Sequence, residues 1–187
     1  MRTVLGFDIS SSTIGWSVIS FNEKSVKLVE YGNIKPPSSK KGSLCFRISD
    51  TYDVICDLVK DKSPDFISIE AYANKFPAGK STARTIIVLS VFNELVGMAC
   101  LKSIGVEPKR YTVSTIRSSL SKFGGKKISS KEEAFDFVVD NFSEFKTRDN
   151  RSGNIAKECF DESDAIAVAF TYILKEFLDN GQRPNLS

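Results

Sequence analysis

Histidine is absent from the chain. With it go the Ser-His-Asp and Cys-His mechanisms, and a zinc site has only scattered cysteines and acids to draw on. The four cysteines, Cys45, Cys56, Cys100 and Cys159, show no C-x-x-C spacing, so no disulfide framework is expected and the thiols suit a reducing compartment. The N-terminus lacks a signal-peptide pattern, and the most apolar run, Ile86 to Phe92, falls well short of the ~20 residues that span a bilayer. A soluble, cytoplasmic protein with no membrane partner is expected. Repeats, low-complexity tracts and dividing linkers are missing too. A net charge of +3 is too small to mark a nucleic-acid partner by itself. What is present is 187 residues, 41% hydrophobic and 26% charged. That is enough for one globular domain, residues 1–187, with a proper core. Any chemistry in such a chain falls to carboxylates.

The chain opens on Val4-Leu5-Gly6-Phe7-Asp8-Ile9-Ser10, followed by Ser11-Ser12-Thr13-Ile14-Gly15-Trp16-Ser17-Val18-Ile19. Two β-type apolar runs around a cluster of small hydroxyl residues predict a hairpin. Asp8 sits in the first run. A carboxylate in an apolar strand is costly to bury unless something positive meets it. A metal ion is one such partner; bonding to the hydroxyls of Ser10 to Thr13 is the ordinary structural alternative. Phe21 to Ser25 turns into a third strand, Val26 to Gly32. Ser43 is predicted to cap a helix reaching about Lys60, with Leu44, Ile48, Ile55, Leu58 and Val59 near helical period. Asp65 to Glu70 is a short strand after that helix, which favours a parallel, buried strand in a mixed sheet. Glu70 stands at its carboxyl end, where open α/β sheets usually hold ligands. A solvated loop glutamate is the plain alternative.

Ala71 to Lys80 is predicted as a loop carrying Tyr72, Lys75, Phe76 and Lys80. Cations interleaved with aromatics hold phosphates and stack unpaired or distorted bases, although loop aromatics more often tuck into a core. Ser81 to Ser103 reads as a long helix, apolar nearly all round, so every face is buried. Either it is central to the domain or part of it meets a second subunit. Val106 to Val113 returns as a strand with Lys109 and Arg110. Arg117, Lys122, Phe123, Gly124, Gly125, Lys126 and Lys127 make a glycine-hinged basic segment before a helix from Ser130 to Phe142. Ser129 or Ser130 caps that helix, with Glu132 or Glu133 as the capping-box partner. Ser143 to Phe160 is predicted as a polar loop. The last helix is predicted to start at Asp161 and run to about Leu178, with Gly181 to Ser187 as a frayed tail. Asp161 and Asp164 fall on one face of its first turn, where acids also serve as ordinary caps. Small Ala165, Ala167 and Ala169 let this helix approach the sheet closely enough to bring both carboxylates near Asp8.

Asp8, Glu70, Asp161 and Asp164 thus form a candidate set. Converging, they would bind two hard divalent cations through oxygen, which suits magnesium, with manganese able to substitute, rather than zinc. Such a pair clamps a phosphodiester, generates hydroxide and stabilises the leaving oxygen. These residues resemble a known family, the RuvC-type Holliday junction resolvases of the RNase H-like superfamily. Leu5-Gly6-Phe7-Asp8 is similar to its first acidic strand, Ile67-Ser68-Ile69-Glu70 to its I-x-I-E motif, and Asp161-x-x-Asp164-Ala165-Ile166-Ala167 to its closing D-x-x-D-A motif. The resemblance implies an α/β, RNase H-like fold with a mixed five-stranded sheet and helices on both faces. It also implies a homodimer that cuts two opposed strands of a four-way DNA junction, with the long apolar helix at the dimer interface. Arg117 and the Lys126-Lys127 region resemble the family's basic phosphate-binding positions.

The chain also departs from the family. The usual D-P-G turn is Asp8-Ile9-Ser10 here, and with Gly15-Trp16 it looks more like the RuvC domain of RNA-guided DNA nucleases. The aromatic expected just after the catalytic Glu is displaced, leaving Tyr72 or Phe76. A compact, divergent resolvase of this kind suits a phage, and a host cytoplasm would then be its location. Three other functions compete with this one. An actin-like or sugar-kinase-type ATPase needs a second Gly-rich phosphate motif and a duplicated domain, neither of which is present. A branched-DNA binding protein without cleavage has no reason to keep all four acids. A nuclease of the same fold acting on flaps, forks or RNA-DNA hybrids keeps the same motifs.

Overall fold

Strand periodicity places the first acid. In β1 (Arg2–Ile9) Leu5 and Phe7 point into one core while Val4 points into the other, so Gly6 and Asp8 share the face of Val4. β2 (Ile14–Phe21) pairs with it antiparallel, from Arg2 opposite Phe21 to Ile9 opposite Ile14. Ser10 closes the turn, its backbone N–H and its hydroxyl both donating to the Thr13 carbonyl at 3.0 and 2.7 Å. β3 (Ser25–Ile34) continues the meander antiparallel, with an irregularity at Val18/Ile19.

The computed structural model describes residues 1–72, 83–178 and 184–186. α1 (Leu44–Lys62) follows β3, capped by Ser43, whose side chain accepts from the Phe46 N–H. It leads to β4 (Phe66–Glu70), which lies parallel to β1 with Phe7 beside Ile69. α2 (Ala83–Ile104) then crosses to β5 (Lys109–Tyr111), parallel to β4. Three helices follow, α3 (Val113–Gly124), α4 (Lys131–Asn141) and α5 (Lys157–Glu176), and a short strand, β6 (Asn185–Leu186), comes last among the described residues. The sheet order is β5-β4-β1-β2-β3-β6, and helices cover both faces. α1 and α2 close one core around Leu5, Phe7, Ile67, Ile69 and Phe92. α3, α4 and α5 close the other around Phe170, whose ring meets Phe123 and Phe142 at 5.0 and 5.4 Å. Burying one such side chain contributes about 1.5–3 kcal/mol.

Several boundaries differ from expectation. Among the described residues the sheet has six strands, not five, because Asn185 and Leu186 form β6 and pair parallel with Ser25 and Val26. Those two residues, expected in a frayed tail, are held by an exposed strand edge with free backbone groups. The segment around Arg117, expected as a hinge, is the helix α3: Thr112 caps its start and Gly125, at φ 67°, ends it. β5 is correspondingly short. α4 resolves the choice of cap, with Ser130 and Glu133 forming the box. α5 begins at Lys157, one turn earlier than expected, without a side-chain cap. Its entry is fixed instead by the Ala156 N–H donating to the Arg148 carbonyl at 2.7 Å and by burial of Cys159. Asp161 and Asp164 therefore lie beyond the first turn, where the capping role does not apply.

By length and composition α2 is the one helix among the described residues apolar enough to cross a membrane. Here Phe92, Leu95, Val96, Ala99 and Cys100 are buried among α1 and sheet residues, while Ile87, Met98 and Leu101 are exposed. Burial of every face within this one chain does not hold on that side, and the alternative, in which part of the helix meets a second subunit, is the one the exposed residues fit.

Candidate active site

Parallel pairing of β1 and β4 sets Asp8 and Glu70 side by side, one residue beyond the pair Phe7 and Ile69 and on the same face. That face is covered by α5. Its approach is close because Gly6 has no side chain: a Cβ there would stand 2.5 Å from the Ala165 carbonyl oxygen and 2.7 Å from the Ala169 Cβ. At Gly15 an added Cβ would overlap the Asp161 carbonyl. The buried Ser17 hydroxyl donates to the Ala165 carbonyl at 3.0 Å. The small residues of β1, β2 and α5 thus deliver Asp164 to the two strand carboxylates.

Asp8, Glu70 and Asp164 line one cleft of about 170 Å³ together with Val113, Ile116, Arg117, Lys131, Ala134 and Ala167. Asp161 stands one helical turn before Asp164, outside that lining, and its Oδ2 is buried with no hydrogen-bond partner among the described residues. Crowding of acids in a desolvated place raises their pKa values. Burial, then the charges of Glu70, Asp164 and Asp161, hold Asp8 well above the usual carboxylate range, against the pull of Lys131. Glu70 is pushed from 4.5 to about 7, first by burial and then by Asp164, with Lys131 and Arg117 opposing. Asp164 and Asp161 are both raised, chiefly by burial.

Lys131 is the residue that sequence reasoning missed. Its Nζ lies 2.6 Å from Asp164 Oδ2, and although burial works against its charge, Asp164, Asp8 and Asp161 raise its pKa. It occupies the first position of α4, where the helix dipole disfavours a cation, and that misplacement was the available signal. Arg117 reaches the same cleft from α3, its Nη1 donating to the Ser129 carbonyl at 2.8 Å. Asn93 of α2 also went unnoticed: buried, it donates through Nδ2 to the Glu70 carbonyl at 2.8 Å and accepts from Arg110 Nε at 3.2 Å. The end of β4 is thereby tied to α2 and β5.

The remaining predicted contacts are more dispersed. Lys126 and Lys127 are exposed in the turn after α3, outside the cleft lining. Tyr72 is half-buried, two residues beyond Glu70. Lys75, Phe76 and Lys80 lie outside the described residues.

Among the described residues no three His, Cys, Asp or Glu side chains are arranged to hold an ion together as they stand. Their chemistry nevertheless fits a divalent cation. The donors are all carboxylate oxygens, Asp161 Oδ2 is orphaned, and one lysine faces several acids whose mutual repulsion a cation would relieve. Hard ions such as magnesium suit oxygen-only ligand sets.

A mixed sheet with helices on both faces, and acids presented by two parallel strands and the last helix, is the RNase H-like arrangement. The family model for "Crossover junction endodeoxyribonuclease RuvC" matches residues 4–172. The chain belongs to that family, and its enzyme class, an endodeoxyribonuclease, follows from the membership. A RuvC protein of Nitratidesulfovibrio vulgaris is 30% identical over 118 residues, covering 63% of this chain and 66% of the relative. One from Finegoldia magna is 24% identical over 171 residues, covering 91% and 92% of the two chains. The first alignment spans just under two thirds of its relative; the second runs nearly end to end. Among solved structures, Thermus thermophilus RuvC in complex with a Holliday junction superposes with a TM-score of 0.70 at 15% identity, covering 93% of this chain and 94% of that one. At that identity the likeness establishes the fold.

Proposed function

We propose that residues 1–187 act as one nuclease domain that cuts four-way DNA junctions and related branched DNA by metal-dependent phosphodiester hydrolysis. The observation that carries this is the meeting of Asp8, Glu70 and Asp164 in one cleft with Arg117 and Lys131. The two relatives named as crossover junction endodeoxyribonucleases, and the structural relative holding a Holliday junction, support the same substrate. Asp8, Glu70, Asp161 and Asp164 would hold two magnesium ions per site, with manganese able to substitute. When bound, these supply an activated water and stabilise charge on the phosphate oxygens. The protein's own share is positioning. Lys131 and Arg117 pair with a backbone phosphate entering the cleft, and the apolar floor of Val113, Ile116, Ala134 and Ala167 limits water around the acids. Tyr72, Lys75, Phe76, Lys80, Lys126 and Lys127 extend this surface along the DNA, the aromatics against unpaired bases.

A homodimer is proposed through the exposed apolar residues of α2, Ile87, Met98 and Leu101, and the working location is the cytoplasm, that of the host for a phage-encoded protein. Sedimentation equilibrium tests the first point; a monomer at micromolar concentration rejects it.

The deciding experiment is a cleavage panel of four-way junction, flap, linear duplex and RNA-DNA hybrid, each with magnesium or manganese. Cleavage favouring the junction is expected. Asp8→Asn should keep junction affinity in EDTA and lose cleavage. Preference for the hybrid or the linear duplex would reject junction resolution, and full activity of Asp8→Asn would reject the site.

A further inference from the structure

Two of the four acids ride on α5, so the site depends on how that helix is rotated against the sheet. Gly15 and Ser17 set its distance from β2. Glu162, between Asp161 and Asp164 in the chain, is 2% exposed yet does not line the cleft. At 3.6 residues per turn it lies about 100° round the helix from Asp161 and about 160° from Asp164. Both of its carboxylate oxygens accept from Arg148 Nη2 at 2.6 Å, and Oε1 also accepts from Asn33 Nδ2 of β3 at 2.8 Å.

Arg148 is itself held in place. Its carbonyl accepts from the Ala156 N–H at 2.7 Å and its own N–H donates to Cys159 Sγ at 3.3 Å. The turn beyond it is stapled by Asn150, whose Oδ1 accepts from the N–H groups of Ser152 and Asn154 at 2.8 and 3.2 Å. A buried carboxylate without its partner is strongly unfavourable. Glu162 can therefore be buried only where Asn33 and Arg148 reach it, and a rotation of α5 that broke this grip would swing Asp164 away from Asp8 and Glu70.

We propose that Glu162, gripped by Asn33 and Arg148, is a positioning residue that fixes the rotation of α5 and hence the placement of Asp161 and Asp164 as metal ligands. This rests on the nuclease function proposed above for the cleft. Arg148 is not among the residues lining the cleft; its effect passes through Glu162 to the neighbouring aspartates.

The test compares Arg148→Ala, Arg148→Lys and Glu162→Gln with the wild type. Four quantities are measured: Mn2+ binding without DNA, by the electron paramagnetic resonance of free Mn2+; junction affinity in EDTA; single-turnover cleavage; and thermal unfolding. Groups that orient metal ligands typically cost about 10- to 100-fold in metal affinity or activity when removed, and that loss is expected for Arg148→Ala in both Mn2+ binding and cleavage. Arg148→Lys should fall between it and the wild type, and junction affinity should stay at the wild-type value. The Arg148 side chain is 49% exposed, so added ethylguanidinium should reach the gap and restore part of both losses.

Wild-type Mn2+ binding in a folded Arg148→Ala protein overturns the proposal, as does loss of junction affinity with metal binding intact, which would make Arg148 a DNA contact. Losses that track the melting temperature and resist ethylguanidinium overturn it as well. Should Arg148→Ala not fold, Glu162→Gln, which keeps the shape and one acceptor oxygen, is judged by the same criteria. Because Mn2+ binding is read without substrate, a wild type that cuts nothing rejects the nuclease function alone.

Discussion

Glu70→Gln removes a charge that the fold penalises. Burial and Asp164 raise the Glu70 pKa from 4.5 to about 7, so the folded, metal-free protein holds a proton there that the unfolded chain has released. The sign follows from linkage: stability falls as pH rises wherever the folded state binds more protons. The favourable contribution of protonated Glu70 is complete below pH 4.5 and lost as pH rises through about 7. At about 1.4 kcal/mol per unit of pH, the rise is worth roughly 3 kcal/mol. Gln escapes that penalty, offset in part because Lys131 and Arg117 lose an attracting neighbour. For a chain of this size 1 kcal/mol moves the melting temperature by about 2–4 °C, so at pH 8 in EDTA the variant should melt up to roughly 10 °C higher. At pH 4.5 most of the gain should vanish. Magnesium should stabilise the wild type by mass action and the variant far less, and the variant should not cut DNA. Differential scanning fluorimetry at the two pH values, with and without the ion, is sufficient. Equal melting temperatures at pH 8, or the same gain at both pH values, would refute the account of a crowded, repelling carboxylate site.

Lys131→Met should raise the Asp8 and Glu70 pKa values further, since Lys131 opposes both shifts, and move the midpoint of Mn2+ binding to higher pH; an unchanged midpoint counts against its place among the acids. Neutralising Arg117, Lys126 and Lys127 together should flatten the dependence of log K on log salt by up to about 3, near 0.9 for each phosphate no longer neutralised, measured by junction binding between low and moderate salt. A slope equal to that of the wild type removes this surface from the DNA path. Gly15→Ala pushes a Cβ into the Asp161 backbone. Overpacking of this kind costs about 1–3 kcal/mol, so the variant should melt lower and lose cleavage, and a wild-type melting curve would show that α5 does not rest on β2 there.

The relatives bear out the family to which the local motifs pointed. The hairpin with Asp8, the strand ending at Glu70 and the order of the acidic motifs were legible because period-2 and period-3.6 patterns report a local backbone shape and the face a side chain takes. The helix caps at Ser43 and Ser130 were legible for the same reason. The early start of α5 was not, because Ala156 offers no cap and the helix is held by bonds to Arg148, distant in the chain only through its own turn. β6 was illegible because two residues acquire strand geometry only from the edge of β3 that they meet.

The sequence by itself determined which residues carry negative charge and which strand or helix presents each of them, since those follow from short-range sterics and side-chain type. Only the tertiary structure decided that Lys131 enters the carboxylate cluster, that Asn93 anchors the end of β4 and that Arg148 and Asn33 grip Glu162. Each of these pairs joins groups far apart in chain distance or direction, and the Coulomb and hydrogen-bond energies that matter there act over a few ångströms. Such distances exist only after Gly6, Gly15 and the alanines of α5 have let helix and sheet close on one another.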